Sequence, residues 1–263
     1  MKLSIITVCK NALNNLIRTA KSIDNAHAKE IEWIVIDGVS TDGTIHFLET
    51  CGIRNLTFLS EKDTGMYDAM NKGILLSKGT FLLFLNAGDF LTSNGLAKAL
   101  DIYDKWRDIN VFNVLNLDEN LTLISGRKVK TDNSYLKQYQ SVPHQSTIIK
   151  KELFTESIGF YDTSFRYSGD YDFFCRCYRK QSVKFSYFID IVLSSFVKDG
   201  MGSNPNNVFE IQKEYNRVQK KYFGRIHYGY FIFNYSLAYS SKFTFTTKIF
   251  TIIRNILLKL GVG

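Results

Sequence analysis

The chain has 263 residues, 45% of them hydrophobic, and a formal net charge of +8. That is enough apolar material for one large α/β domain with an appendage, and it argues against two independent domains. The four cysteines, Cys9, Cys51, Cys175 and Cys177, lack the C-x-x-C spacing of a zinc site and are too few for a disulfide scaffold, so reduced thiols are expected.

Met1 and Lys2 lead straight into the short run Leu3–Cys9, followed by Lys10 and Asn11, not by a small-residue cleavage site. No export signal is read there, and a cytoplasmic protein is expected. Leu3–Cys9, Ile31–Asp37, Leu56–Leu59 and Thr80–Leu85 are continuous apolar runs and predict buried strands. Between and after them, Asn14–Ile23, Thr44–Cys51, Tyr67–Leu76 and Asn94–Trp106 have helical spacing. Such alternation implies an α/β fold, a mostly parallel sheet flanked by helices that binds ligands beyond the carboxyl ends of its strands.

The second half is more mixed. Val111–Asn116 and Leu121–Arg127 predict a strand pair, Gln145–Lys150 a further strand and Gly169–Lys180 a helix. Pro205 precedes a polar helix over about residues 206–222. The expected division is one domain over 1–212, in two halves over 1–110 and 111–212, then a helical, aromatic and basic tail over 213–263. Residues 1–212 balance 24 basic against 24 acidic side chains, whereas 213–263 hold nine basic residues and one acid, Glu214, with twelve aromatics.

Within that tail Ile249, Ile252, Ile253, Ile256, Leu257 and Leu260 share one helical face, flanked by Lys248, Arg254 and Lys259. Its charges interrupt every apolar stretch well short of the roughly 20 residues that crossing a bilayer takes. Lying in an anionic membrane interface is one reading and packing on the domain another. Nucleic acid is not an expected partner, because no recognition motif accompanies the basic and aromatic composition.

The chemistry-bearing residues cluster after the strands. Asp37 is followed by Gly38, Ser40, Thr41 and Asp42; a carboxylate there can accept from a ribose diol or base N–H, or the stretch is a turn that caps the next helix. Asp68, Asn71 and Lys72 fall at i, i+3 and i+4 on one helix face, which could hold a sugar diphosphate or merely carry an Asp68–Lys72 ion pair. Glu61 and Asp63 before that helix also suit dipole compensation. The apolar run Phe81–Leu85 ends in Asn86 and Asp89, hard oxygen donors suited to Mn²⁺ or Mg²⁺. Asp170 stands at the start of the helix over Gly169–Lys180, where it could serve as a cap.

Taken together, Thr7 to Asn11, Asp37 to Thr44, the block from Asp63 through Tyr67, Asp68, Asn71 and Lys72 to Gly73, and Leu85 to Asp89 resemble family 2 glycosyltransferases of the GT-A fold, a Rossmann-like architecture. The likeness covers roughly residues 1–200 and is greatest to the subgroup that builds enterobacterial O-antigen and exopolysaccharide repeat units. It implies that Thr7 and Asp37 face the nucleotide, that Asp63, Asp68, Asn71 and Lys72 serve the nucleotide sugar, and that Asp89 is the metal ligand. Asn86 and Gly88 stand where many relatives carry aspartates.

Asp170 falls where the family keeps its catalytic base. Pro143-His144-Gln145-Ser146 resembles an acceptor-side element, and Asp172 is a weaker acceptor candidate. Asp199–Ser203 suggests a loop closing over the diphosphate. The implied activity is an inverting, metal-dependent transfer of a hexose, galactose first, from a UDP-sugar to GlcNAc-diphospho-undecaprenol in β1,3 linkage, by a peripheral protein at the cytoplasmic side of the inner membrane. A glucosyltransferase on the same acceptor and a non-catalytic sugar-nucleotide-binding protein of the same fold are the alternatives. A nucleotidyltransferase is disfavoured, since no glycine-rich basic phosphate loop lies near the N-terminus.

Overall fold

The computed structural model describes residues 1–226 except 24–26, 28, 128, 199 and 201. The described residues form one nine-stranded sheet flanked by helices. Its strands are β1 (Leu3–Cys9), β2 (Ile31–Asp37), β3 (Leu56–Ser60), β4 (Phe81–Phe84), β5 (Phe90–Leu91), β6 (Ile109–Leu117), β7 (Leu123–Arg127), β8 (Thr147–Lys150) and β9 (Phe185–Val197), ordered β3-β2-β1-β4-β8-β6-β9-β5 with β7 beside β6. The helices are α1 (Leu13–Ala20), α2 (Thr44–Thr50), α3 (Met66–Leu76), α4 (Gly95–Asp101), α5 (Gly169–Arg179) and α6 (Val208–Phe223).

β3, β2, β1 and β4 are mutually parallel, as the strand-helix alternation of the first ninety residues requires, and β6 runs parallel to β9. These ladders hold most of the paired residues. β8 joins the halves, antiparallel to both β4 and β6. Successive side chains of a strand go to opposite faces. Thus Ile6, Ile34, Ile36, Leu82 and Phe84 pack with α3 and α5, while Ile5, Trp33, Val35, Leu83 and Leu85 pack with α1 and α4. β2 is buried along its whole length, which explains why it reads as an unbroken apolar run. Its buried Glu32 is satisfied by the Ser4 hydroxyl (2.6 Å) and the Lys78 and Gly79 amides (2.6 and 3.1 Å), which fix the entry to β4.

Two strands were not anticipated. β9 occupies the middle of the second half, and its ladder with β6 slips between Phe112 and Val114, leaving Ile189, Asp190, Ile191 and Leu193 without partners on β6 there. β5 is a two-residue edge strand. The helix expected over Asn94–Trp106 stops at Asp101; a 3-10 turn over Tyr103–Lys105 then delivers Trp106 edge-on to Phe81, ring centroids 5.1 Å apart. α6 runs through the expected 212/213 boundary and docks on α5. Among the described residues no helix is long and apolar enough to cross a membrane. The amphipathic segment Lys248–Leu260 lies outside them, as do Asp199 and Met201 of the expected closing loop.

Candidate active site

The carboxyl ends of β1, β2 and β3 bring Cys9, Asp37 and Ser60 side by side. Asp37 is buried; one carboxylate oxygen accepts from the Ser40 amide (2.9 Å) and the Ser60 hydroxyl (2.6 Å), and the other faces the Cys9 thiol (3.7 Å). Burial and the neighbouring Asp37 push the Cys9 thiol well above its ordinary range, so it stays protonated and can donate. Asn11 and Ser40 tie the next two loops together: the Asn11 amide donates to the Ser40 hydroxyl (2.7 Å), and the Thr41 amide donates to the Asn11 side chain (2.8 Å). Gly38 lets the Asp63 side chain come close, since a Cβ there would stand 2.8 Å from an Asp63 carboxylate oxygen. Asp37 and Asp63 are therefore gathered at one strand edge.

Thr7 is not on that surface. Its hydroxyl is buried, donating to the Leu85 carbonyl (2.7 Å) and accepting from the Trp33 indole (2.9 Å), so its side chain ties β1 to β4 and leaves nothing for a nucleotide.

The side chains of the expected sugar-diphosphate face on α3 have partners within the chain. Asn71 makes a double hydrogen bond with the Tyr161 backbone, donating to its carbonyl (2.9 Å) and accepting from its amide (3.0 Å). Lys72 reaches Glu61 (2.8 Å), the Lys62 carbonyl (2.6 Å) and, more distantly, Asp68 (3.7 Å). Asp68 accepts from the Thr64 amide (2.9 Å), and Asp63 accepts from the Gly65 amide (3.0 Å). Asp68 and Lys72 thus brace the loop that carries Asp63, while Asn71 holds the segment leading to α5.

Asp89 is buried beyond the end of β4, on the α1 side. One carboxylate oxygen accepts from the Val197 amide at the end of β9 (3.0 Å). Thr19 of α1 fixes this loop, accepting from the Gly88 amide (2.9 Å) and donating to the Asp89 carbonyl (2.8 Å). Among the described residues no three His, Cys, Asp or Glu side chains gather as a metal cage. Three positions before Asp89, however, the Asn86 side-chain oxygen is buried without a hydrogen-bond partner. One carboxylate and one amide oxygen suit a hard cation that fills its remaining shell with water and phosphate oxygens, as Mg²⁺ and Mn²⁺ do.

Asp170 stands at the first turn of α5, on the α3 side of the sheet. One carboxylate oxygen accepts from the Tyr67 hydroxyl (3.1 Å) and the Tyr171 amide (2.9 Å), the other from the Gln140 side chain (2.9 Å). The Tyr67 hydroxyl also points at the Tyr167 carbonyl (2.9 Å). Gly169 permits this, because a Cβ there would meet the Tyr67 ring at 2.8 Å. Burial, reinforced by Asp170, pushes the Tyr67 phenol well above its ordinary value and keeps it a donor. Tyr67 and Gln140 were missed as site residues, although Tyr67 sits inside the motif that carried the family likeness. Its place one residue before Asp68, at the start of the helix face already singled out, could have suggested it; nothing local marks Gln140.

His144 is enclosed beside this group. Its ring stacks on Phe84 (centroids 5.0 Å apart) and its Nε2 lies 2.8 Å from the Tyr161 hydroxyl. Burial lowers its pKa from 6.5, against the opposing pull of Asp170, so the neutral ring acts as packing and hydrogen-bonding partner. Asp172 is fully buried away from Asp170 and bound to Arg176 (2.9 Å), Lys221 (3.0 Å) and the Tyr222 hydroxyl (2.8 Å). It joins α5 to α6 and is no acceptor ligand: two residues along a helix is about 200° around it.

Asp37 thus lies at the end of the parallel strand β2 and Asp63 beyond β3, Asp89 beyond β4 beside α1, and Asp170 at the start of α5 beside α3. The chain belongs to glycosyl transferase family 2, whose sequence model matches residues 4–167. It is 32% identical over 249 residues to an uncharacterised glycosyltransferase of Mycobacterium tuberculosis (strain H37Rv), covering 91% of this chain and 94% of that one. A PGL/p-HBAD biosynthesis glycosyltransferase of the same strain is 30% identical, covering 76% and 78%. Among solved structures, S. aureus TarS 1–349 in complex with UDP-GlcNAc superposes with a TM-score of 0.66 at 16% identity, over 92% of this chain and 73% of that one. The fold is accordingly GT-A-like.

Proposed function

We propose that this glycosyltransferase moves a hexose, galactose in the first instance, from a UDP-sugar to the GlcNAc of a GlcNAc-diphospho-undecaprenol acceptor, forming a β1,3 linkage with inversion in O-antigen repeat-unit synthesis. The observation that carries the transfer is the Asp170 carboxylate, held on both oxygens by Tyr67, Tyr171 and Gln140 at the start of α5. A base must be fixed in place yet retain lone pairs for the acceptor hydroxyl. In the step, the acceptor oxygen bonds to the anomeric carbon, its proton passes to Asp170, and the bond to the leaving UDP oxygen breaks.

Asp37 and Asp63 receive the nucleoside, with Gly38 letting the Asp63 side chain come close. Asp89 and Asn86 would hold Mn²⁺ or Mg²⁺, which would supply positive charge to the diphosphate as it departs. The UDP-sugar donor draws support from the UDP and UDP-GlcNAc complexes of TarS. Galactose, the β1,3 linkage and the undecaprenyl acceptor rest on the sequence likeness to O-antigen enzymes. A lipid-linked acceptor also suits a peripheral protein whose basic excess lies in its last fifty residues.

The test is a panel of UDP-sugars offered with a lipid-diphosphate GlcNAc acceptor, with and without Mn²⁺, reading the released nucleotide and the product linkage. Asp170→Asn should lower turnover by roughly 10²- to 10⁴-fold, the usual contribution of a general base, while UDP affinity holds. Undiminished turnover in that variant removes Asp170 from the mechanism, and release of inorganic diphosphate in place of UDP removes the transferase reading altogether.

A further inference from the structure

Just before α5, three consecutive backbone amides converge on one side chain. The amides of Arg166, Tyr167 and Ser168 donate to the two carboxylate oxygens of Glu214, each at 2.8 Å. Glu214 comes from α6, 46 to 48 residues later, and is the only acid among residues 213–263. Ser168 is the N-cap of α5, yet its own hydroxyl makes no cap: it is buried and has no hydrogen-bond partner. An ionised carboxylate accepting three N–H groups forms charge-assisted bonds, stronger than those of a neutral cap.

The peptide so gripped belongs to the site. Asp170 is two residues beyond Ser168, and the Tyr167 carbonyl shares the Tyr67 hydroxyl with the Asp170 carboxylate. One turn and a half further along α6, Gln219 donates to the Gln138 carbonyl (2.5 Å), two residues before the Gln140 that holds the other Asp170 oxygen. The same helix therefore anchors both segments that aim Asp170.

We propose that Glu214 is a positioning residue for the transfer step: by clamping the Arg166–Ser168 amides it sets the direction of the Asp170 carboxylate and its Tyr67 partner. The proposal rests on Asp170 being the base. Glu214→Gln in the full-length chain replaces one acceptor oxygen by an amino group facing N–H donors. Turnover should fall about 10- to 100-fold, as a small displacement of a reacting group does, with the donor KM and UDP affinity within about twofold of wild type. Glu214→Asp, which keeps the charge and shortens the reach, should fall between the two; it also serves if the Gln variant does not fold.

In an Asp170→Asn background, Glu214→Gln should change the residual turnover less than about twofold, because the two act through one group. Wild-type turnover in folded Glu214→Gln, a parallel loss of turnover and UDP affinity, or a full additional loss in the Asp170→Asn background overturns the role of Glu214 alone. Full activity of Asp170→Asn by itself instead overturns the assignment of the base, and the role of Glu214 with it.

Discussion

At Gly38 the absence of a side chain sets where the Asp63 carboxylate can sit. A methyl group there would press on Asp63 at 2.8 Å and on the Lys10 side chain at 3.3 Å, and both contacts are with movable side-chain atoms. Gly38→Ala should therefore cost little stability, within about 1 kcal/mol, since surface-type adjustments rarely cost more. What moves is the Asp63 carboxylate. If Asp63 receives the donor nucleotide, loss of one charge-assisted hydrogen bond should raise the donor KM about tenfold, with the acceptor KM unchanged. Steady-state kinetics beside a melting curve decides the matter: a large drop in Tm at constant donor KM would make Gly38 a packing residue only.

The helices and strands divide into those that build the sheet and those that aim its side chains. α6 belongs to the second kind, and besides Glu214 its main attachment is the buried carboxylate of Asp172, which takes Arg176, Lys221 and Tyr222 together. Both cationic partners retain solvent contact, at 20% and 46% exposure, so the pairs are partly screened. Asp172→Asn should cost about 2–3 kcal/mol, the scale of a lost charge-assisted pair, and lower Tm by roughly 5–10 °C. Thermal unfolding measures this directly, and a variant as stable as wild type would show that α6 is held by Glu214 and Val218 packing instead.

The same elements show how far sequence reaches. β1 to β4 and α2 and α3 were legible because buried parallel strands are apolar on both faces and the helices between them are amphipathic. β9 was not, although Phe185–Val197 is rich in β-branched and aromatic residues: its slipped register and its mixture of Ser186, Asp190, Ser194 and Ser195 break any alternation. Asp37 and Asp170 stood out through motif and position. The partners of Asn71 and Lys72 were not legible, because a helix face reveals which side chains share a side but not what meets them, and here the partners are the Tyr161 backbone and Glu61 from distant or irregular segments. Glu214 gave no local signal, since its three amides lie some fifty residues upstream.

For the molecule as a whole, charge is segregated: 24 basic and 24 acidic side chains balance over residues 1–212, while nine basic residues face a single acid beyond. That single acid accepts from the Arg166–Ser168 amides and cancels only one of the nine positive charges, which leaves the segment strongly basic. Such a distribution has little to do with folding and much to do with association. Each Lys or Arg brought to an anionic bilayer contributes about 1 kcal/mol, screened over a distance of roughly 8 Å at physiological salt. The full-length chain should therefore float with vesicles containing anionic lipid, and raising salt several-fold should release it.

Reversing Lys248, Arg254 and Lys259 together to glutamate should weaken that binding at least tenfold, by the same electrostatic arithmetic. Turnover on an acceptor embedded in vesicles should fall in step, whereas turnover on a short-chain, water-soluble acceptor should be retained. Binding that ignores both salt and lipid charge would show that apolar side chains, not the basic ones, make the attachment. Loss of turnover on both acceptors would show that these residues serve the catalytic domain itself and not its approach to the bilayer.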